Sequence, residues 1–427
     1  MQRRSFLFST GQVFALALAA SANRRLVAQQ VPQSERNSGD LEERIASVLQ
    51  AFDAQGNHRT GTAVDKISAE WLSAEVQRLG INPSLEPFSL NRVDPQLAYV
   101  RIGNRRIDGI PMFDGGFTGA AGVRGRLGPL GSDVEVGLAT ISPTDVSHTA
   151  VGDIIPLARR SRHSAIILIT GAGRPGLFLS NAPAFQNPAG PPMLQVSNVD
   201  ATWLEQQARD GAQATVVAYV TRTPAQAFNV IASIVGREAS LSPLVVMAPR
   251  SGWWQCVSEQ GSRLVHWLEI MRTLVGAKPL RTCHFVALSG HELGFIGIAP
   301  YIEKRPDLIK GAEVWIFLGS DIGQPGQTNL IHAADEALER WLVAALAREG
   351  IAVDVKAQHD SKARGETAFI QSAGGRFVTL ACGSSVFHSV EDRWPEAVDV
   401  TLLARYAKAI SEGVLELAQR GRVNQRS

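Results

Sequence analysis

Four short apolar runs, each released into a glycine-rich or polar loop, set the strongest limit on how the 427-residue chain can fold. They are PLVVMA at 243–248, CHFVALS at 283–289, VWIFLG at 314–319 and RFVTLAC at 376–382. Apolar at consecutive positions and rich in β-branched residues, such runs predict strands buried on both faces, the condition of a parallel sheet wrapped by helices. Between them, Leu264, Trp267, Leu268, Met271 and Leu274 mark one face of a helix over 261–274, and further helices are predicted over 334–348 and 396–417. The expected fold class is α/β: an open, mostly parallel twisted sheet with helices on both faces.

In such a sheet the working residues lie in loops beyond the carboxyl ends of the strands. The loop PRSGWWQCVSEQGS holds Arg250, Trp253, Trp254, Cys256 and Glu259, the loop SGHELGFIG holds His291 and Glu292, and GSSVFHSVEDRW holds His388. Glu259, Glu292 and His388 leave the same sheet edge. Two carboxylates and one neutral imidazole would neutralise a divalent zinc ion and leave a fourth tetrahedral position open. One zinc ion is therefore the expected cofactor. Arg250, Trp253 and Trp254 are expected to bind substrate at the mouth, the guanidinium holding a carboxylate and the indoles an apolar part.

Each of these residues also has a structural reading. Glu292 is suited to the first turn of a helix, where the macrodipole favours an acid. His388 could pack beside Trp394, and Glu259 could pair with Arg263. Cys256 offers a different chemistry, a thiol nucleophile in an amidase without metal.

Ahead of the strand–helix region, helices are expected over 41–52 and 63–79; in the second, Ile67, Trp71, Leu72, Val76 and Leu79 recur at helical spacing before Gly80. Between about 99 and 222 short strands alternate with Gly and Pro turns, which predicts a small β-rich module inserted into the larger domain. The expected plan is a signal and linker at 1–30, the first part of the α/β domain at 41–98, the insertion at 99–222, and the main part at 223–420.

The chain opens MQRRSFLFSTGQVFALALAASA. Adjacent arginines, a short apolar stretch and a small-residue triplet are the pattern of a twin-arginine export signal, so a periplasmic or secreted protein is expected. The apolar stretch is too short to span a bilayer, and no stable membrane anchor is expected in the mature form. A net charge of +2 supplies no basic field for nucleic acid. Cys256, Cys283 and Cys382 are too few and too scattered for a disulfide framework.

In order and context the segments GNHRTGT, AEWLSAEVQRLG, FNVIASIVG, RTCHFVALSGHELGFIG and VFHSVEDRW resemble the zinc aminopeptidase family that also includes glutaminyl cyclases. The resemblance spans most of the mature chain and implies a protease-associated-domain-like insertion. It also implies a divergent site. Pro249 stands where a first-zinc histidine is usual, Glu259 where the bridging aspartate is, and His291-Glu292 where a Glu-Glu pair supplies base and ligand; His388 matches the final histidine. The resemblance thus implies one zinc on Glu259, Glu292 and His388, with His291 as proton carrier and Glu366 lining the substrate pocket. The expected function is an exported metal-dependent hydrolase, peptidase- or aminopeptidase-like, acting on a peptide or small amide substrate. Its rival is a catalytically inactive protein of the same fold that binds a peptide or small ligand in the cleft.

Overall fold

The computed structural model describes residues 33–142, 154–171 and 173–421. The expected export signal at 1–30 lies outside the described residues. Helices α1 (Gln33–Asp53) and α2 (Ala63–Arg78) lead into β1 (Ser84–Ile102) and β2 (Arg105–Pro111). Then come β3 (Val123–Pro129), β4 (Val136–Ile141), α3 (Ile154–Arg160), β5 (Ala165–Thr170), β6 (Met193–Ser197) and α4 (Ala201–Arg209), and the chain returns along β7 (Gln213–Ile234). From β8 (Leu244–Pro249) onward strands and helices mostly alternate: α5 (Ser262–Ala277), β9 (Cys283–Leu288), α6 (Ile298–Glu303), α7 (Leu308–Gly311), β10 (Val314–Leu318), β11 (Asn329–Ala333) and α8 (Glu336–Arg348). The series closes with β12 (Val355–Lys356), α9 (Thr367–Ser372), β13 (Phe377–Cys382) and α10 (Val400–Ala418).

The four apolar runs become the centre of the sheet, β9-β8-β10-β13, paired parallel throughout. Burial on both faces explains their composition. Leu244, Val246, Phe285, Ala287, Ile316 and Leu380 face a core shared with α1, α5, α8 and α10. Residues of the other parity, Val245, Met247, Val286, Trp315 and Phe377, face a second core with Ile298, Tyr301, Ile309 and Ile370. Period-two alternation thus sends successive side chains to opposite helical layers.

The sheet is mixed rather than mostly parallel along its whole width. β7 joins β9 antiparallel, and β11 joins β13 antiparallel. The strongest departure is a long antiparallel ribbon in which β1 and β7 pair from Ser84↔Ile231 to Ile102↔Ala214. Its far half is continued through β2, β6, β5, β4 and β3 back to β7, a closed ring of strands. Closure leaves no unpaired edge there. This ring has apolar clusters of its own: one gathers Val100, Leu127, Ile167, Leu194, Leu204 and Val216, another Ile155, Ile166 and Met193. A third unites it with the main sheet, where Phe113, Leu179, Ala182 and Phe185 meet Trp253, Leu293 and Ile296. No helix among the described residues is long and apolar enough to cross a membrane.

Candidate active site

Three loops at the carboxyl ends of the central strands converge, as a parallel sheet dictates. After β8, the chain turns through Cys256 in the left-handed region (φ 54) into a π-helical turn, Val257–Gly261, that carries Glu259 and opens α5. After β9 come His291 and Glu292; after β13, His388 at φ 59. Phe295 and Asp321, in the same set of loops, are also left-handed, at φ 64 and 61. Bulky residues held at positive φ are costly, and they concentrate where surrounding structure fixes a functional geometry.

The innermost group is a chain of alternating acid and imidazole. His388 Nε2 stands 3.4 Å and His291 Nε2 3.7 Å from Glu259 Oε1. The far nitrogens are tied back: His388 Nδ1 donates to the Leu179 carbonyl at 2.5 Å, and His291 Nδ1 to the Glu366 carboxylate at 2.9 Å. A carbonyl or carboxylate behind an imidazole takes the Nδ1 proton and orients the ring, which leaves each Nε2 facing Glu259. All four side chains are buried. Burial alone would raise the Glu259 carboxyl, but His388, then His291 and Arg263, draw it down to about 2. Glu259 Oε2 and His388 Nε2 have no hydrogen-bond partner, although each is enclosed. Buried lone pairs without donors mark a place suited to a cation.

Glu292 does not join this group. Its Oε1 accepts from the Thr60 N–H at 2.7 Å and its Oε2 from the Ser251 hydroxyl at 2.9 Å, so the carboxylate is held against the 58–62 loop and the residues that follow β8. The structure therefore does not bring Glu259, Glu292 and His388 together as the expected trio; His291, not Glu292, stands beside Glu259 and His388. Arg250 does not reach a substrate mouth either. Fully buried, it pairs with Asp65 at 3.0 Å and donates to the carbonyls of Asp65 and Phe228, because a residue at the end of an internal strand points into the packed layer. Glu366 is buried behind His291, bonded to its Nδ1. The Cys256 thiol is raised well above its ordinary range by burial, then by Glu259 and Asp392, the opposite of what activates a nucleophile.

Trp253 is buried with its indole N–H on Asn181 and its ring edge-on to Phe113, 5.0 Å away. Trp254 donates to the His388 carbonyl at 3.0 Å. Together with Leu179, Phe113 and Arg59 the two indoles line a cavity of about 450 Å³ at the junction of ring and sheet. That junction also roofs the site. Leu179 N–H donates to the His388 carbonyl, and Ala182 N–H to the Glu292 carbonyl.

Two acids escaped the sequence reading. Asp392 receives the Ser258 and Glu259 N–H groups at 2.6 and 3.0 Å, capping the start of the π-helical turn, and burial followed by the Glu259 charge pushes it up to about 7. Asp321 accepts from the Ser258 hydroxyl at 2.8 Å and is raised by burial, then by Asp392 and Glu259. Asp392 lies four positions after His388 and Asp321 in GSDIG; only their chain proximity to strand ends could have flagged them.

No family model matches the chain, and no curated protein does. Among solved structures the chain is similar to a peptidase precursor from Shewanella amazonensis, with a TM-score of 0.71 at 15% identity over 91% of this chain and 97% of that one. A zinc aminopeptidase from Bacillus subtilis gives 0.69 at 15%, covering 90% and 95%. An aminopeptidase from an Aneurinibacillus strain gives 0.67 at 14%, covering 91% and 96%. The chain has the fold of these peptidases, a metallopeptidase-like α/β fold.

Proposed function

We propose that the chain is an exported, zinc-dependent hydrolase of amide or peptide bonds, with one ion in the cleft on Glu259 and His388 and with His291 moving the proton. The observation that carries it is the pair Glu259 Oε1 and His388 Nε2, buried, 3.4 Å apart, the imidazole nitrogen without a partner. Two tetrahedral ligands each about 2.1 Å from an ion stand about 3.4 Å apart, so the donors fit zinc as they lie. When bound, the ion supplies Lewis acidity toward a carbonyl oxygen. His291, oriented by Glu366, presents Nε2 3.7 Å from the same oxygen, where an imidazole can take and return a proton. The cavity between Trp253, Trp254 and Leu179 receives an apolar part of the substrate. The amino-terminal arginine pair and apolar stretch support delivery to the periplasm or beyond, and the ring of strands is proposed to be the inserted unit that shapes the mouth.

One observation favours a second reading, ligand binding without turnover: Glu292 is withheld from the cleft by Thr60 and Ser251, leaving the ion one protein ligand short of the usual catalytic three. Elemental analysis of protein purified without added metal, with turnover of aminoacyl amides, separates the two. One equivalent of zinc fewer in His388→Ala than in the parent, with a 10²- to 10⁴-fold fall in rate in His291→Ala at the parent's zinc content, is the expected result. Zinc content unchanged from the parent in His388→Ala rejects the site; zinc present with no hydrolysis of any amide selects the second reading.

A further inference from the structure

Glu259 has a second face that the cleft does not use. Its Oε1 serves His388, His291 and the Gln260 amide, whereas Oε2, fully enclosed, has no partner. On this carboxylate converge Cys256 and Asp392. Ligand atoms of Cys256, Glu259 and Asp392 all lie within 4.8 Å of one another, and the three residues are buried. The sulfur has been given room. A Cβ at Gly252 would lie 2.7 Å from Cys256 Sγ, so only glycine admits the sulfur there. The Trp254 N–H points at Sγ from 3.4 Å, a contact that favours a thiolate.

We propose that Cys256, Glu259 and Asp392 form a buried, thiolate-bearing site for a soft divalent cation of the zinc class, on the far side of Glu259 from the cleft histidines and structural in role. Charge supports it. A thiolate and two carboxylates carry three negative charges, which a divalent ion and the neighbouring Arg263 guanidinium would balance. Asp392 keeps its bonds to the Ser258 and Glu259 N–H groups, since each carboxylate oxygen has a further lone pair. On binding, the thiol releases its proton to solvent as the sulfur–metal bond forms. Three protein ligands leave the fourth tetrahedral position to a water molecule or to the second oxygen of a carboxylate. The site would tie the start of α5 to the loop after β13, two segments far apart in sequence. The inference does not depend on the cleft reaction, since none of its ligands except Glu259 belongs to the cleft.

Cobalt(II), added to metal-free full-length protein, is the probe. A thiolate ligand gives an intense near-ultraviolet charge-transfer band, which oxygen and nitrogen ligands do not. The band should be present in the parent chain, in His388→Ala and in Cys283→Ser, and absent in Cys256→Ser and Cys256→Ala. A band that survives Cys256→Ser overturns the proposal. Should both Cys256 variants fail to fold, X-ray absorption of the zinc-loaded parent decides: a sulfur neighbour at about 2.3 Å is required, and its absence is fatal to the site. Failure here alone, with zinc still lost in His388→Ala, leaves the cleft reading intact; no bound metal of any kind removes both.

Discussion

Two polar clusters adjoin at one edge of the sheet, and they are built on opposite terms. In the first, Arg250 pairs with Asp65, Asp65 accepts from Ser289 and the Gly61 N–H, Thr60 donates to Ser251, and Ser251 and Thr60 hold both oxygens of Glu292. These donors and acceptors answer one another. In the second, a few residues away, Glu259 Oε2 and His388 Nε2 face inward with nothing to receive. The first cluster is architecture, satisfied so that the loops after β8 and β9 have one arrangement. The second keeps lone pairs open at a cost to folding, which is the signature of a site reserved for something else.

The contrast breaks most visibly at Arg250. Arg250→Met leaves Asp65 charged, buried and unpaired, and should cost about 3–5 kcal/mol in urea unfolding. The double variant Arg250→Met with Asp65→Leu should recover much of that loss, because the stranded charge goes too. His388→Ala belongs to the other cluster and should cost no more than about 1.5 kcal/mol, the worth of its bond to the Leu179 carbonyl, while removing the zinc ion of the cleft. Equal losses at the two positions would show that both clusters are structural.

The ring of strands offers a larger-scale version of the same comparison. Asp94 pairs with Thr221 in the long ribbon, so joining these two residues through an Asn-Gly turn removes the ring at a register the ribbon already has. Cooperative unfolding of the remaining sheet is expected, because its two main apolar clusters draw no residue from the ring. Its midpoint should fall, since Trp253, Leu293 and Ile296 lose Phe113, Leu179 and Phe185. Non-cooperative melting would show that sheet and ring fold as one unit.

How far these features were legible in the sequence follows from what each depends on. The central strands came through because burial on both faces writes itself into composition: Leu244 to Met247 and Cys283 to Leu288 are apolar almost without interruption. The β1–β7 ribbon did not, because one face of it is wet and residues such as Asn91, Arg92, Asp94, Arg222 and Thr223 interrupt any apolar pattern. At the site, the loops carrying Glu259, His291 and His388 were legible from strand ends alone. Which way adjacent side chains turn was not. His291 and Glu292 are neighbours in sequence yet serve different clusters, and the partners that separate them, Glu366 for one, Thr60 and Ser251 for the other, come from 75, 232 and 41 positions away.

Smaller effects come from acid. His58, buried and stacked on Phe52 with its ring nitrogens engaged by Gln255 and Gln55, is lowered by burial to about 3; His266, bonded to the Ser262 carbonyl, is lowered to about 4. Both pKa values fall below the ordinary 6.5, so between these limits the unfolded chain binds the protons and the folded chain does not. Stability should therefore be fully present above pH 6.5 and decline as pH drops toward 4, by about 1–2 kcal/mol per imidazole between pH 7 and 5. Urea midpoints at the two pH values measure it, and His58→Gln should flatten the profile by half. An unchanged profile in that variant would assign the acid loss to other groups.

The smallest expected effect lies at the start of α2, where Thr62 caps the helix that carries Asp65 into the satisfied cluster. Thr62 Oγ1 accepts from the Asp65 N–H at 3.3 Å and donates to the Arg59 carbonyl at 2.7 Å. The capping bond is long, so Thr62→Ala should cost at the lower end of the usual range, about 0.5–1 kcal/mol, and Thr62→Ser less than half of that. The substitution leaves Asp65 bound by Gly61, Ser289 and Arg250, so the cluster should hold its geometry and the zinc content of the cleft should not change. A loss of 3 kcal/mol or more would mean that the cap and the Arg250–Asp65 pair fail together, and that the 58–65 segment is one cooperative element on which the whole closed cluster rests.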